Sequence, residues 1–243
     1  MSTIKTVTTR HGDIRMDCPG PTTLMRAETF NEKEPETLEW IDSFAPEDVL
    51  WDIGANIGCY SLYAGLRGLR TCAFEPEAGN YWMLNRNLTL NDLPGEVLAY
   101  NIAFDRTERL GVLNVTSQDV GGSLNQFGTP QDVVTEVVDL QVYSHQGMIG
   151  FSIDNFMKTF KPPRPDHLKI DVDGLESHIL LGAPETLKSV SSVLVEINSK
   201  DDRLVDLITT TLYEAGLLLL EKRQAPLLAE TDFASIFNYI FRR

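Results

Sequence analysis

Positive charge is in short supply in this chain: 21 Lys and Arg stand against 35 Asp and Glu, a formal net charge of −14 over 243 residues. Binding a phosphate backbone takes clustered Lys and Arg, so nucleic acid is not expected as a partner. Locally basic stretches are limited to Arg67 and Arg70, Lys158 to Arg164, and Arg242-Arg243. Cysteine is scarcer still. Cys18, Cys59 and Cys72 show no paired spacing, which excludes a disulfide framework, and an odd count suits a reducing, cytoplasmic setting. No apolar run reaches membrane-spanning length, and the opening Met1-Ser-Thr-Ile-Lys-Thr-Val lacks the apolar core of a secretory leader. There is no repeat or low-complexity tract. Two phosphate-binding fingerprints are missing as well. Counting from Gly54, the glycine places of G-x-G-x-x-G hold Asn56 and Cys59, and no Gly-Lys-Ser/Thr follows.

What is present is a chain of 42% hydrophobic and 23% charged residues, suited to one large α/β domain. Apolar runs predict strands over 49–53, 70–75, 97–103, 167–172, 191–197, 216–222 and 235–241. Helical spacing predicts helices near 59–68, 78–91, 174–188 and 202–215, the third broken at Gly182-Ala183 by Pro184. This alternation demands a mainly parallel, doubly wound sheet of seven strands, its last two forming an antiparallel edge hairpin. Residues 1–47 read as a leader without a sheet period, carrying an amphipathic helix over Glu34 to Phe44 that packs on the main domain, 48–243. An insertion at about 105–166 interrupts that domain. In it Leu110 to Val115 and Val133 to Val142 read as strands, Gly121-Gly-Ser123 as a turn and Ser144-His-Gln-Gly147 as a loop. The insertion either covers a substrate or extends the sheet.

The most informative stretch is Asp52-Ile-Gly-Ala-Asn-Ile-Gly-Cys-Tyr-Ser61, between an apolar strand and a helix. Gly54 and Gly58 let backbone approach a ligand closely. Asp52 at the strand exit would repel a pyrophosphate and hold a ligand bearing an ammonium and a sulfonium, which points to S-adenosylmethionine rather than a dinucleotide. Gly54, Ala55, Asn56, Gly58 and Tyr60 join Asp52 as its expected contacts. Glu75 follows 23 positions later at the end of the second strand, where an acidic residue takes ribose hydroxyls, and Pro76 stops the strand there. Phe104 is expected to pack on an adenine. Asp105 either accepts from the adenine amino group or is a solvated turn residue.

Asp171 and Asp173 end the Leu168–Val172 strand two positions apart and project to one side. Asp171 is the candidate to orient a substrate hydroxyl or to hold the reactive end of the cofactor, unless it only caps the next helix. Two close carboxylates also raise one pKa and create a base. Glu196 and Asn198 end the neighbouring strand, but as Glu-x-Asn rather than adjacent acid and amide, and no metal site is assigned. His167 starts a strand at the wrong end of the sheet, His178 lies a turn from the edge, and His145 sits in the insertion. Glu176 is expected to pair with Lys169 or to cap a helix.

Asp52-Ile-Gly-Ala-Asn-Ile-Gly58, Ala73-Phe-Glu-Pro76 with Asn80, and Leu168-Lys-Ile-Asp-Val-Asp-Gly174 with Glu176 together resemble the FkbM family of S-adenosylmethionine-dependent methyltransferases. Weaker likeness runs from about Glu34 to Asn198. One position departs, because the family often has an amide or Glu where Asp173 stands. The resemblance implies a Rossmann-like class I methyltransferase fold and methyl transfer to a hydroxyl of a small acceptor, such as a sugar or a polyketide-type natural product. A nicotinamide-dependent oxidoreductase is the alternative that Glu75 alone would permit. A nucleic-acid N-methyltransferase is disfavoured, since Lys161-Pro-Pro-Arg164 is neither the expected run nor in its place. The acceptor's identity and any homo-oligomer are left open.

Overall fold

In a computed structural model the chain is described over residues 3–243, apart from 94, 129–140, 225, 226, 228, 230 and 232. Central strands are covered on both faces, and β3 (Val49–Ile53), β4 (Arg70–Phe74) and β10 (His167–Ile170) are buried along almost their whole length, the polar Asp52, Thr71, His167 and Lys169 included. With β5 (Val97–Tyr100), β11 (Ser192–Asn198), β12 (Leu218–Arg223) and β13 (Ile236–Arg242) they make a seven-stranded sheet of order β12-β13-β11-β10-β3-β4-β5. The neighbours β11/β10, β10/β3, β3/β4 and β4/β5 are parallel, and β13 runs antiparallel to both β11 and β12. The expected fold class, including the edge hairpin, is therefore the observed one. The chain winds outward from β3 to β5 and returns to β10, so the loops leaving β3 and β10 part to opposite faces. That switch point opens a crevice at the carboxyl edge.

Helices α4 (Cys59–Leu66), α5 (Ala78–Leu90) and α9 (Asp202–Glu214) cross between strands. Glu77 caps α5 by accepting from the Gly79 and Asn80 amides, and Asp201 caps α9 through Arg203 and Leu204. The predicted break falls where Pro184 demands it: α7 (Glu176–Leu181) stops before Gly182 and α8 (Pro184–Leu187) restarts. Strand three ends earlier than predicted. Asn101 donates to the Glu75 and Pro76 carbonyls, and Ala103–Phe104 (β6) leaves for a second sheet.

That second sheet, of order β6-β9-β7-β8, is built from the insertion. β7 (Arg109–Val115) meets its expectation, but Ser144 to Gly147 begins a strand, β9 (Ser144–Phe151), instead of a loop, and β8 is Gln126–Phe127. The reason is pairing: Ser144 through Gly150 run antiparallel to Val115 through Arg109, a partner no local pattern discloses. The strand expected over 133–142 lies, up to 140, outside the described residues. Helix α6 (Ile153–Phe160), capped by Ser152, ends the insertion.

The first residues also hold a hairpin that the sequence reading did not foresee, β1 (Thr3–Thr9) with β2 (Gly12–Cys18). β1 is mostly threonine and exposed, so little apolar alternation marks it. Helices α1 (Pro21–Glu28), α2 (Phe30–Lys33) and α3 (Pro35–Asp42) follow. Ile14, Met16, Phe30, Trp40 and Ile41 share one buried cluster with Leu62 and Leu84 of the sheet's helices. The opposite face is packed by Trp51, Phe74, Phe104 and Phe156. Among the described residues no helix is long and apolar enough to cross a membrane.

At the amino edge Trp40 Nε1 donates to Ser192 Oγ at 3.0 Å, and the same oxygen pairs with His167 Nδ1 at 2.7 Å. His167 Nε2 lies 2.9 Å from Asp48, and its ring stacks on Phe44. Burial pushes the His167 pKa down despite Asp48. Its role is to fasten α3 to the sheet. Replacing the fully buried Ser192 by Ala strands both ring nitrogens at once, so urea unfolding should show a loss of about 1–3 kcal/mol; an unchanged midpoint would show that the latch carries no stability.

Candidate active site

Two glycines shape the turn after β3. Gly54 has φ +85°, and a Cβ there would lie 1.8 Å from the Asp171 carbonyl oxygen, so neither the conformation nor the space admits a side chain. Gly58, φ +94°, would meet Leu84 at 2.5 Å while it starts α4. Asp171 N donates to Ile53 O, and Gly54 N and Ala55 N both donate to Phe74 O, tying the turn to β10 and β4. Asn56, itself at φ 51°, donates through its backbone to Glu75 Oε2 at 2.8 Å. Glu75 Oε1 accepts from Glu77 N at 2.8 Å. Each carboxylate oxygen retains lone-pair capacity beyond that one bond.

These residues border a cavity of about 300 Å³ at the crevice. Of the predicted site residues, Gly54, Asn56, Glu75, Pro76, Asp171 and Asp173 line it. A small apolar recess of about 30 Å³ adjoins it through Gly54, Pro76, Asn125 and Val172, and Phe104 lies there with Phe74 and Ile102. The other predicted contacts lie outside these linings. Asp52 is wholly buried beneath the loop, accepting from Ser61 Oγ at 2.6 Å with Lys169 Nζ 3.7 Å away, so its charge faces a lysine of the adjacent strand. Ala55 packs into the core. Gly58 serves the turn, and Tyr60 lies under Lys169 Nζ, 4.9 Å from its ring centre, and bonds Glu34. Asp105 is buried and accepts from Arg106 N and Arg109 Nε, both at 2.6 Å, and pairs with His178 at 3.2 Å. It is therefore a buried, paired carboxylate and not the solvated turn residue offered as one alternative.

Several lining residues went unnoticed in the sequence. Met25, Arg26 and Lys33 come from α1 and α2, and Gly122 to Asn125 roof the cavity from the insertion. Gly122 O accepts from both Asn56 Nδ2 (2.9 Å) and Asn80 Nδ2 (3.1 Å), and Leu124 N donates to Asp173 at 2.6 Å. Lys169 did carry a signal, a charge inside an apolar strand. It pairs with Asp171 at 2.9 Å, whereas Glu176 instead accepts from Gly174 N at 3.0 Å and steadies the turn. His145 pairs with Asn114 on the exposed second sheet, outside the cavity lining.

Residues 52–225 match the family described as the Methyltransferase FkbM domain. The chain belongs to the FkbM methyltransferase family. It is 26% identical over 157 residues to the hexuronic acid methyltransferase AglP of Haloferax volcanii, covering 64% of this chain and 58% of AglP. It is 25% identical over 224 residues to the 31-O-demethyl-FK506 methyltransferase FkbM of Streptomyces tacrolimicus, covering 79% and 80% of the two chains. The crystal structure of P. horikoshii TYW2 in complex with MeSAdo superposes with a TM-score of 0.50 at 12% identity, covering 99% of this chain and 70% of that one, a likeness of fold alone. The chain thus carries an FkbM methyltransferase domain on a Rossmann-like sheet, and it spans about 58% of the length of AglP. The nicotinamide alternative is not favoured.

Electrostatics in this FkbM-family site are dominated by buried acids. Burial pushes Glu75 up to about 8 and Asp173, helped by the Asp171 charge, up to about 6. Glu196 is raised well above the carboxylate range by burial and by Asp171 and Glu34. Glu34 goes the other way. Burial opposes its charge, but Lys33 at 2.7 Å and Lys169 hold it at about 2. Glu34, Asp171 and Glu196 offer oxygens within 4.8 Å of one another, and two of the three already face a lysine. Glu75 supplies a pH test. Its folded pKa exceeds the ordinary value of 4.5, so its contribution to stability is fully present below about 4.5 and is lost as pH rises through about 8. In ligand-free Glu75→Gln that loss disappears. Melting scans from pH 4.5 to 8.5 should show the variant gaining on the parent as pH rises; parallel curves would contradict a buried, raised Glu75.

Proposed function

We propose that the chain transfers a methyl group from S-adenosylmethionine to a hydroxyl oxygen of a small acceptor, a sugar acid or a polyketide-type natural product. The observation that carries this reading is convergence. A glycine turn that excludes side chains, the Glu75 carboxylate and the Asp171–Asp173 pair all border one cavity at the sheet's switch point. Relatives named for a hexuronic acid and for the 31-O position of FK506 support an oxygen on a small molecule. Both names belong to those proteins, and the chain spans 58% of the length of the first.

When bound, the cofactor supplies an electrophilic methyl on a sulfonium. Glu75 would hold the ribose hydroxyls with the lone pairs its backbone donors leave, and the cavity wall at Pro76, with the adjoining recess at Phe104, would take the adenine. Asp171, fixed by Lys169, orients the acceptor hydroxyl for in-line attack. Asp173, at about 6, is the carboxylate whose proton affinity suits removal of the hydroxyl proton near neutral pH. Asp52 acts from below by setting Lys169, and Gly58, Ala55 and Tyr60 hold the turn. Asp105 positions the strand end through His178 and Arg109. An acidic chain with three free cysteines supports a cytoplasmic reaction on a non-nucleic-acid acceptor, and a homo-oligomer is compatible with it.

S-adenosylmethionine and S-adenosylhomocysteine should each raise the melting temperature, and NAD should leave it unmoved. Stabilisation by NAD alone would overturn the reading. Glu75→Ala should weaken S-adenosylhomocysteine binding by about 1–3 kcal/mol, read by calorimetry. A labelled-methyl screen of hydroxylated acids and macrolides then identifies the acceptor.

A further inference from the structure

Three cations stand in or under the cavity, and two are accounted for: Lys33 pairs with Glu34 at 2.7 Å and Lys169 with Asp171 at 2.9 Å. Arg26, half-buried on α1, is different. Its Nε donates to Gly121 O at 2.6 Å, and among the described residues no carboxylate lies within ion-pair distance of its guanidinium. The single Nε bond fixes the plane of the fork while leaving both terminal nitrogens unclaimed, the arrangement that receives a carboxylate through two parallel hydrogen bonds. The side chain lines the cavity, and its charge is felt by Asp173 and Lys33.

The remaining charges of the cavity indicate which group belongs there. Asp171, and Asp173 once ionised above about pH 6, put negative charge on its other walls, which suits an ammonium and a sulfonium and repels a carboxylate. A ligand bearing both signs must therefore turn its carboxylate to the α1 side. We propose that Arg26 is the carboxylate anchor of this cavity. The assignment rests on the methyl-donor reading above, and it has two chemical sources, the methionine carboxylate of the donor and the carboxylate of a uronic acid acceptor.

Calorimetry on the full chain separates them. Wild type, Arg26→Ala and Arg26→Lys are titrated with S-adenosylmethionine and with decarboxylated S-adenosylmethionine, which keeps the ammonium and sulfonium and lacks the carboxylate. The S-adenosylhomocysteine complexes are then titrated with glucuronate and with glucose. An affinity loss of about 10- to 100-fold in Arg26→Ala, confined to S-adenosylmethionine and smaller in Arg26→Lys, assigns the anchor to the donor. A loss confined to glucuronate assigns it to the acceptor. Equal affinities for wild type and variants in both arms overturn the anchor, and failure of wild type to bind S-adenosylmethionine at all overturns the donor reading beneath it. Should Arg26→Ala melt early through loss of the Gly121 bond, Arg26→Lys, which keeps the charge and loses the fork, decides the question.

Discussion

A single ammonium group, Lys169 Nζ, holds the site together. It is buried in the middle strand of the sheet, with Asp171 at 2.9 Å, Asp52 at 3.7 Å and the Tyr60 ring beneath it. Burial disfavours its charge, yet Asp171, Asp52 and Glu34 outweigh that penalty and raise its pKa. The dependence is mutual. Remove the lysine and three acids are left facing one another in a low dielectric, the arrangement in which a broken buried pair costs most. Because Asp52 comes from β3, Asp171 from the loop leaving β10, Tyr60 from α4 and Glu34 from between α2 and α3, this one charge ties four parts of the chain to a common point.

How much of this could be read from the sequence depended on distance along the chain. The glycine turn and Glu75 were legible because they lie within one strand–helix–strand run, where spacing is geometry. Asp171 and Asp173 were legible because they end an apolar strand. Asp52 was assigned to a ligand because its partner was invisible: Lys169 is its register neighbour on a strand more than a hundred residues later. The partners of Asp105 were out of sight for the same reason, His178 lying 73 positions away. Residues 3–18 offered threonines with too little apolar contrast to reveal a hairpin, and Arg26 and Lys33 sit on short helices whose exposed faces look like any solvated surface.

The roof over the cavity is made differently from its floor. Below, charges and forced glycine geometry set the shape. Above, neutral amides join the Arg26 and Asp173 contacts in pinning the turn at Gly122: one carbonyl oxygen takes hydrogen bonds from Asn56 and Asn80, and Gly121 N donates to Asn80 Oδ1. Both lone pairs of that carbonyl are thereby used. Salt screens ion pairs between exposed charges and has little hold on such amide contacts.

Gly54, Asn56 and Glu75 arrive in one unbroken run of chain, whereas the rest of the lining is drawn mostly from remote stretches around 25–33, 122–125, 171–173, 196 and 233–236. Change on the helix and hairpin walls, away from the Asn56–Gly122 and Leu124–Asp173 bonds, leaves the turn undisturbed. A lineage could retune which molecules the pocket admits by altering helix or hairpin, while Gly54, where no side chain fits, stays fixed by its own sterics.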